Sequence, residues 1–229
     1  MIQDAIAVTV AIIPGLLICW YIYKMDKYEK ESRLQLAITF GLGMLITIPV
    51  MYIERNASEM GWDDHSSIGP LLFSSFIIVA LTEEAIKYLV LLAYPYHRPF
   101  FNEPMDGIVY AVMIGMGFAT LENILYATQY GLGTTLIRAF TAVPAHAAFA
   151  VIMGYFAGLS KFAFLPKNQR WLLMLGLLAP WLVHGLYDVF ILQEAYESLM
   201  ILALVVLAVS IFLARRLMLE QQENSPFKD

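Results

Sequence analysis

Glu83 and Glu84 stand side by side in the otherwise apolar stretch IGPLLFSSFIIVALTEEAIKYLVLLA, Ile68 to Ala93, with Lys87 one turn further on. A charge at bilayer depth costs roughly 2.5–3.5 kcal/mol on insertion scales, so such residues face a cavity or a partner and mark chemistry or transport. Glu83 and Lys87 are i,i+4 and Glu84 and Lys87 i,i+3, so both pairs can meet on one helix face. Adjacent helical residues point about 100° apart, which can direct one glutamate to a cavity centre and the other to a neighbouring helix. Further along, separate apolar stretches carry Glu122-Asn123, then His146, then His184 with Asp188. His184 and Asp188 are again i,i+4, a spacing at which a carboxylate can hold one imidazole nitrogen and fix the tautomer. A carboxylate base, imidazoles, and either oxyanion donors or a metal are the equipment for activating water.

The elements that must position these groups are membrane helices. The chain has 229 residues, is 60% apolar and carries a net charge of −5; soluble domains are about 45–50% apolar. No basic block suggests nucleic acid. Cys19 is the single cysteine, so disulfide and thiolate-metal chemistry have no partner, and it reads as a small buried apolar residue. Seven segments reach the roughly 20 residues needed to span a bilayer, near 4–23, 34–53, 68–93, 106–128, 138–160, 171–192 and 196–217. The first lacks a basic leader and a small-residue cleavage site, and reads as a retained span. The expected fold is all-α: one polytopic helical membrane domain over 1–219, with helices three to six as a four-helix catalytic core, and a short polar cytoplasmic tail over 220–229 that is expected to be disordered.

Orientation follows from the basic residues. Eleven of the fourteen Lys and Arg fall on one side, in the 24–33 loop, at Arg98, between Lys161 and Arg170, and in the tail; Arg55 and Arg138 fall on the other, and Lys87 lies within a span. Because basic loops stay inside, the N-terminus is expected outside, the C-terminus in the cytoplasm, and the loops 54–67, 129–137 and 193–195 on the outer face. On a rise of 1.5 Å per residue, Glu122, His146 and His184 lie about 9–12 Å below the outer ends of their spans, whereas Glu83 lies about 22 Å below, roughly two turns too deep to meet them.

Plainer roles compete at each position. Lys87 with a glutamate can be a structural intrahelical pair. A lone histidine on an apolar face is ordinarily a core residue, and it is the matched depth of Glu122, His146 and His184 that argues for a site. Asp106 can be a first-turn residue favoured by the helix dipole, and Arg138 an interfacial anchor. Gly115, Gly117, Ala119, Gly154, Ala157 and Gly158 read as close helix packing.

The strings EEAIK (83–87), DGIVYA (106–111), GFATLENILY (117–126), RAFTAVPAHA (138–147), VIMGYFAG (151–158) and HGLYD (184–188), with PGLLICWYIYKMDKYEKE (14–31), resemble the PrsW family of bacterial intramembrane proteases, over about residues 11–217. The resemblance implies a multi-pass protease of the cell membrane, related to CAAX-processing endopeptidases, that makes the first cut in a membrane-spanning anti-sigma factor near its extracytoplasmic side in stress signalling. It places Glu83 and Glu84 as the family's glutamate pair, Glu122 and Asn123 as its second motif, His146 and His184 as its later histidines and Asp188 as its final acid, with Lys87 in support. Two chemistries then fit. Either glutamate of the pair serves as general base in a metal-free glutamate protease, or His146, His184 and Glu122 hold a zinc ion with an open position for water. From the residues alone, a proton- or ion-coupled transporter using the same buried Glu, His and Asp groups competes with the protease, although no repeat of the kind transporters carry is found. A scaffold that merely binds membrane helices has no use for so many desolvated polar groups.

Overall fold

The computed structural model describes residues 2–193 and 197–228, and every regular element in them is helical. Helix α1 spans Ile2–Met25 and α2 Arg33–Glu59. The third segment is a continuous helical path in three pieces: α3 (Ile68–Phe73), a wide-turned π segment (Ser74–Leu81) and α4 (Thr82–Ala93). Then follow α5 (Pro104–Phe140), α6 (Ala142–Lys161), α7 (Pro166–Leu192) and α8 (Met200–Glu223). Among the described residues six helices, α1, α2, α5, α6, α7 and α8, are individually long and apolar enough to cross a membrane. The seventh expected span is the 68–93 path, whose pieces of 6, 8 and 12 residues are each too short alone. Of the expected outer loop 193–195, residues 194 and 195 lie outside the described residues.

Helix α5 is the axis of the bundle, buried along nearly all of 104–123 and packed most extensively against α6, α1 and α2. Lipid gives no hydrophobic drive between helices, so close backbone approach must supply the cohesion. Gly107 and Gly154 provide it: a Cβ on either would overlap the carbonyl oxygen of the other. The contact along α5 also accounts for α1, whose Ala7 and Ala11 are buried with Ala127.

Three boundaries differ from the sequence expectation. Helix α2 runs to Glu59, so Glu54 belongs to a helix and not to an outer loop. The 129–137 stretch is helical, with the chain breaking direction at Gly131, whose φ of 76° and ψ of −171° suit only glycine. Sixteen residues of straight helix would hold Glu122 and Arg138 about 24 Å apart, yet their side chains meet at 2.7 Å. The segment after Gly131 therefore folds back over the site. Finally, the tail expected to be free continues α8 to Glu223 and docks: Gln221 is buried, the Gln222 amide donates to the Met25 carbonyl, and the Ser225 hydroxyl donates to Glu103.

That docking closes an acidic layer at the end of the bundle where α5 starts. Asp106 accepts the backbone N–H groups of Asn102 at 2.6 Å and Glu103 at 2.8 Å, completing a capping box that starts α5 at Pro104, the first-turn role its position suggested. The Tyr110 hydroxyl donates to Glu31, and Asp26 accepts the Glu31 N–H at 3.2 Å. Burial pushes the Asp26 carboxyl up to about 7, against the pull of that N–H, and also raises Glu31 and Glu103.

Candidate active site

The glutamate pair lies at the start of α4, directly after the π segment. A π turn closes i to i+5 and takes more residues per turn than an α-helix, so Glu83 sits higher than an α-helical rise predicts. Helix α5 reaches its break at Gly131 rather than 128, which sets Glu122 deeper. The groups meet, although depths counted along separate spans placed Glu83 two turns away. One carbonyl of the π segment, that of Phe76, receives the Trp181 indole N–H at 2.7 Å, which pins the segment to α7 one turn before His184.

Glu83, Glu84, Lys87, Glu122, Asn123, His146, His184 and Asp188 are all buried, and they converge from α4, α5, α6 and α7. Lys87 Nζ donates to Glu83 Oε2 at 2.7 Å and Glu84 Oε1 at 2.9 Å, and lies 3.3 Å from His146 Nδ1. It also sits over the Phe118 ring at 4.1 Å, an aromatic face that favours a cation. The other His146 nitrogen, Nε2, is 3.1 Å from Glu122 Oε2. His184 Nδ1 is 2.9 Å from Glu84 Oε1, and its Nε2 is 3.3 Å from Asp188 Oδ2. His184 is thus held between two carboxylates and His146 between a carboxylate and the Lys87 ammonium, and the spacing of His184 and Asp188 does what it suggested. Phe149 stacks on the His184 ring at 4.9 Å and further fixes its plane.

Arg138 is no interfacial anchor. Its guanidinium pairs with Glu122 at 2.7 Å, donates to Asn123 Oδ1 at 3.2 Å and stacks on Tyr126 at 3.8 Å. Asn123 is turned toward α1, where its amide donates to the Ala11 carbonyl at 3.4 Å. A sequence placed the guanidinium fifteen or sixteen positions from its partners, and only the reversal at Gly131 brings them together.

A cavity of about 240 Å³ opens on this cluster, lined by Glu83, Glu122, Arg138, His146, His184 and Asp188 among others. Glu83 lines it and Glu84 does not, which divides the pair as the 100° separation suggested: one toward the cavity, one toward α7. Glu54 of α2 also lines it, a group that sequence reading left in an outer loop. Its signal was present, since α2 only had to extend one turn past Ile53 to bring it in.

A donor set suited to a metal ion exists here. One ligand atom from each of Glu83, Glu84, His146 and His184 lies within 4.8 Å of the others. Two imidazoles with carboxylates fit zinc-type coordination, and carboxylates behind the imidazoles, Glu122 at His146 Nε2 and Asp188 at His184 Nε2, are the supports that metal-bound histidines use. Glu84 Oε2 is buried without a partner. Glu122 is not in this set; it stands at the opposite ring nitrogen of His146 from Glu83 and is already paired with Arg138.

Fold and site together define a multi-pass helical membrane protein that encloses a carboxylate–imidazole site. Residues 31–214 match the family model described as PrsW family intramembrane metalloprotease. The chain belongs to the PrsW family of intramembrane proteases. It is 36% identical over 201 residues to Protease PrsW of Geobacillus kaustophilus, covering 86% of each chain. It is 35% identical over 181 residues to that of Bacillus subtilis, covering 79% of this chain and 80% of the relative. With Protease PrsW of Clostridioides difficile it shares 33% identity over 199 residues, 85% of this chain and 82% of the relative. No solved structure matches the chain.

Proposed function

We propose that this protein hydrolyses a peptide bond of a single-pass membrane protein, near the outer face of a bacterial cell membrane, at the cavity between α4, α5, α6 and α7. The observation that carries the reading is the convergence of Glu83, His146 and His184 on one enclosed cavity, with a carboxylate behind each imidazole. Membership in a protease family favours hydrolysis over proton-coupled transport. An anti-sigma factor is the substrate the family resemblance suggests, and the excess of basic residues in the 24–33 loop and the tail supports an inner C-terminus.

Glu83, facing the cavity, is the general base. It takes a proton from a water whose oxygen bonds to the peptide carbonyl carbon, and it delivers that proton to the departing amine nitrogen as the C–N bond breaks. Glu84 and Asp188 hold His184, and Glu122 holds His146, so that both rings present fixed edges to the developing oxyanion. Lys87 bridges Glu83 and Glu84 and offsets their mutual repulsion. Arg138 holds Glu122 in place. His146, His184 and Glu84 would hold a divalent ion such as zinc, leaving Glu83 free. That ion supplies Lewis acidity toward water and carbonyl. A metal-free glutamate mechanism is the second reading; it is favoured by Lys87, whose ammonium already sits among three of the four donor groups.

The test is cleavage of a membrane-spanning anti-sigma factor by the purified protein and by its Glu83→Gln, Glu84→Gln and His146→Ala variants, with and without a zinc chelator. Cleavage by the wild type alone supports the assignment. Chelator sensitivity reversed by zinc selects the metal mechanism and insensitivity the glutamate one. A folded wild type that cuts no such substrate would sink the reading.

A further inference from the structure

Above the catalytic cavity lies a second space of about 820 Å³, lined by the outer end of α2, the stretch near His65, the start of the π segment and the outer turns of α5. Four residues line both spaces: Glu54, Val79, Tyr126 and Leu192. They form the neck between an outer vestibule and the site. Three of the four are apolar or aromatic, and the fourth is a carboxylate.

That carboxylate lacks the compensation that every other acid in the cavity has. Glu83 has Lys87, Glu122 has Arg138 and His146, and Asp188 has His184. Glu54 Oε1 is shielded from solvent and accepts no hydrogen bond, and Glu54 forms no ion pair among the described residues. Its neighbour Arg55 turns away to Glu59 at 2.9 Å. The cations within the cavity are already committed, so whatever compensates Glu54 must arrive from outside. The vestibule repeats the sign: it is lined by Glu54, Glu59 and Asp63 against the single cation Arg55. Glu54 as a whole is half-buried, but one of its oxygens is desolvated and unpaired, which is costly, and a charge-assisted contact to a basic group relieves that cost.

We propose that Glu54 is a specificity residue at the neck: it receives a Lys or Arg side chain of the substrate, on the solvent side of the bond to be cut, as the extended segment passes from vestibule to cavity. This rests on the protease reading above. Acidic walls outside the neck draw the same basic segment toward it.

The experiment uses the full-length protein and a single-pass reporter. Each position in the first six or so residues outside its membrane span carries Lys, Gln or Glu in turn. One position is expected at which Lys is cut about tenfold faster than Gln in kcat/KM, the effect of one hydrogen bond to a charged group, with Glu slowest. Glu54→Gln is expected to bring Lys and Gln to within about twofold. The same ratios are read without turnover by photocrosslinking the reporters to Glu83→Gln and to the Glu83→Gln, Glu54→Gln double variant, each checked for its melting temperature. A wild type with no Lys preference at any position, or a preference that survives Glu54→Gln, overturns the proposal while leaving the protease reading intact. Absence of cleavage with a crosslinking preference that depends on Glu54 overturns the protease reading and supports the neck.

Discussion

Two groups of buried carboxylates stand at opposite ends of the bundle, and they have been given different company. The first group, Glu83, Glu84, Glu122 and Asp188, is interleaved with Lys87, Arg138 and two imidazoles, and all but Glu84 line a cavity of about 240 Å³. The second group, Asp26, Glu31, Glu103 and Asp106, is served by backbone N–H groups and by the hydroxyls of Tyr110 and Ser225. Glu29, Glu31 and Asp106 approach one another within 4.8 Å with no imidazole among them. Burial raises Asp26 to about 7 and pushes Glu31 and Glu103 above their ordinary values. The first group pairs its carboxylates with cations and imidazoles, and the second ties loops and helix ends together. A buried acid becomes a reagent only when cations and open space accompany it.

The comparison breaks most directly at Glu83. Glu83→Gln should lower kcat/KM by at least about 100-fold, the scale of a general base, with little change in melting temperature. Equal activity would reduce the first group to a structural network like the second. Arg138→Ala should come next. It strips Glu122 of its guanidinium and should cost about 3–5 kcal/mol, the penalty for one partner of a buried pair left alone, measured by reversible unfolding in detergent. A loss below about 1 kcal/mol would mean that Glu122 does not need the segment beyond Gly131.

Gly154→Ala tests the scaffold common to both ends. A Cβ there overlaps the Gly107 carbonyl, and overpacking of this kind costs about 1–3 kcal/mol. The separation of α5 from α6 should also slow cleavage, because Glu122 and His146 lie across that seam. Tyr110→Phe removes the hydroxyl from Glu31 and should cost about 1–2 kcal/mol without altering cleavage, which would separate the second group from catalysis.

A further test of the second group is a dependence on pH. Asp26 has its ordinary value of 3.8 when unfolded and about 7 when folded, so the folded chain keeps a proton that the unfolded chain releases. Its contribution to stability therefore falls as pH rises from about 4 to about 7 and levels off above. Melting temperatures across that range should show the decline, and Asp26→Asn should flatten it. A slope unchanged in Asp26→Asn would assign it to other groups.

Much of this protein could be read from its residues. Apolar length located the spans and excluded strands, because backbone groups in lipid must bond internally. The spacing of His184 and Asp188, and of the glutamate pair and Lys87, depends only on helical period and was kept. Desolvation cost picked out Glu83, Glu84, Glu122, His146 and His184, since an ionisable group within a span needs a reason to be there. What the residues did not reveal depends on contacts between distant parts of the chain. The π segment that precedes Glu83 leaves no periodic mark in a uniformly apolar run. The reversal at Gly131 reads locally as a loop, and only folding carries Arg138 back to Glu122. Glu54 lies one residue beyond the expected end of its span, and only the packing of α2 beside the cavity turns it inward. Local periodicity and transfer cost are properties of a segment, whereas partners, depth and enclosure are set by how segments pack, and in this protein the second decides which buried charges can act.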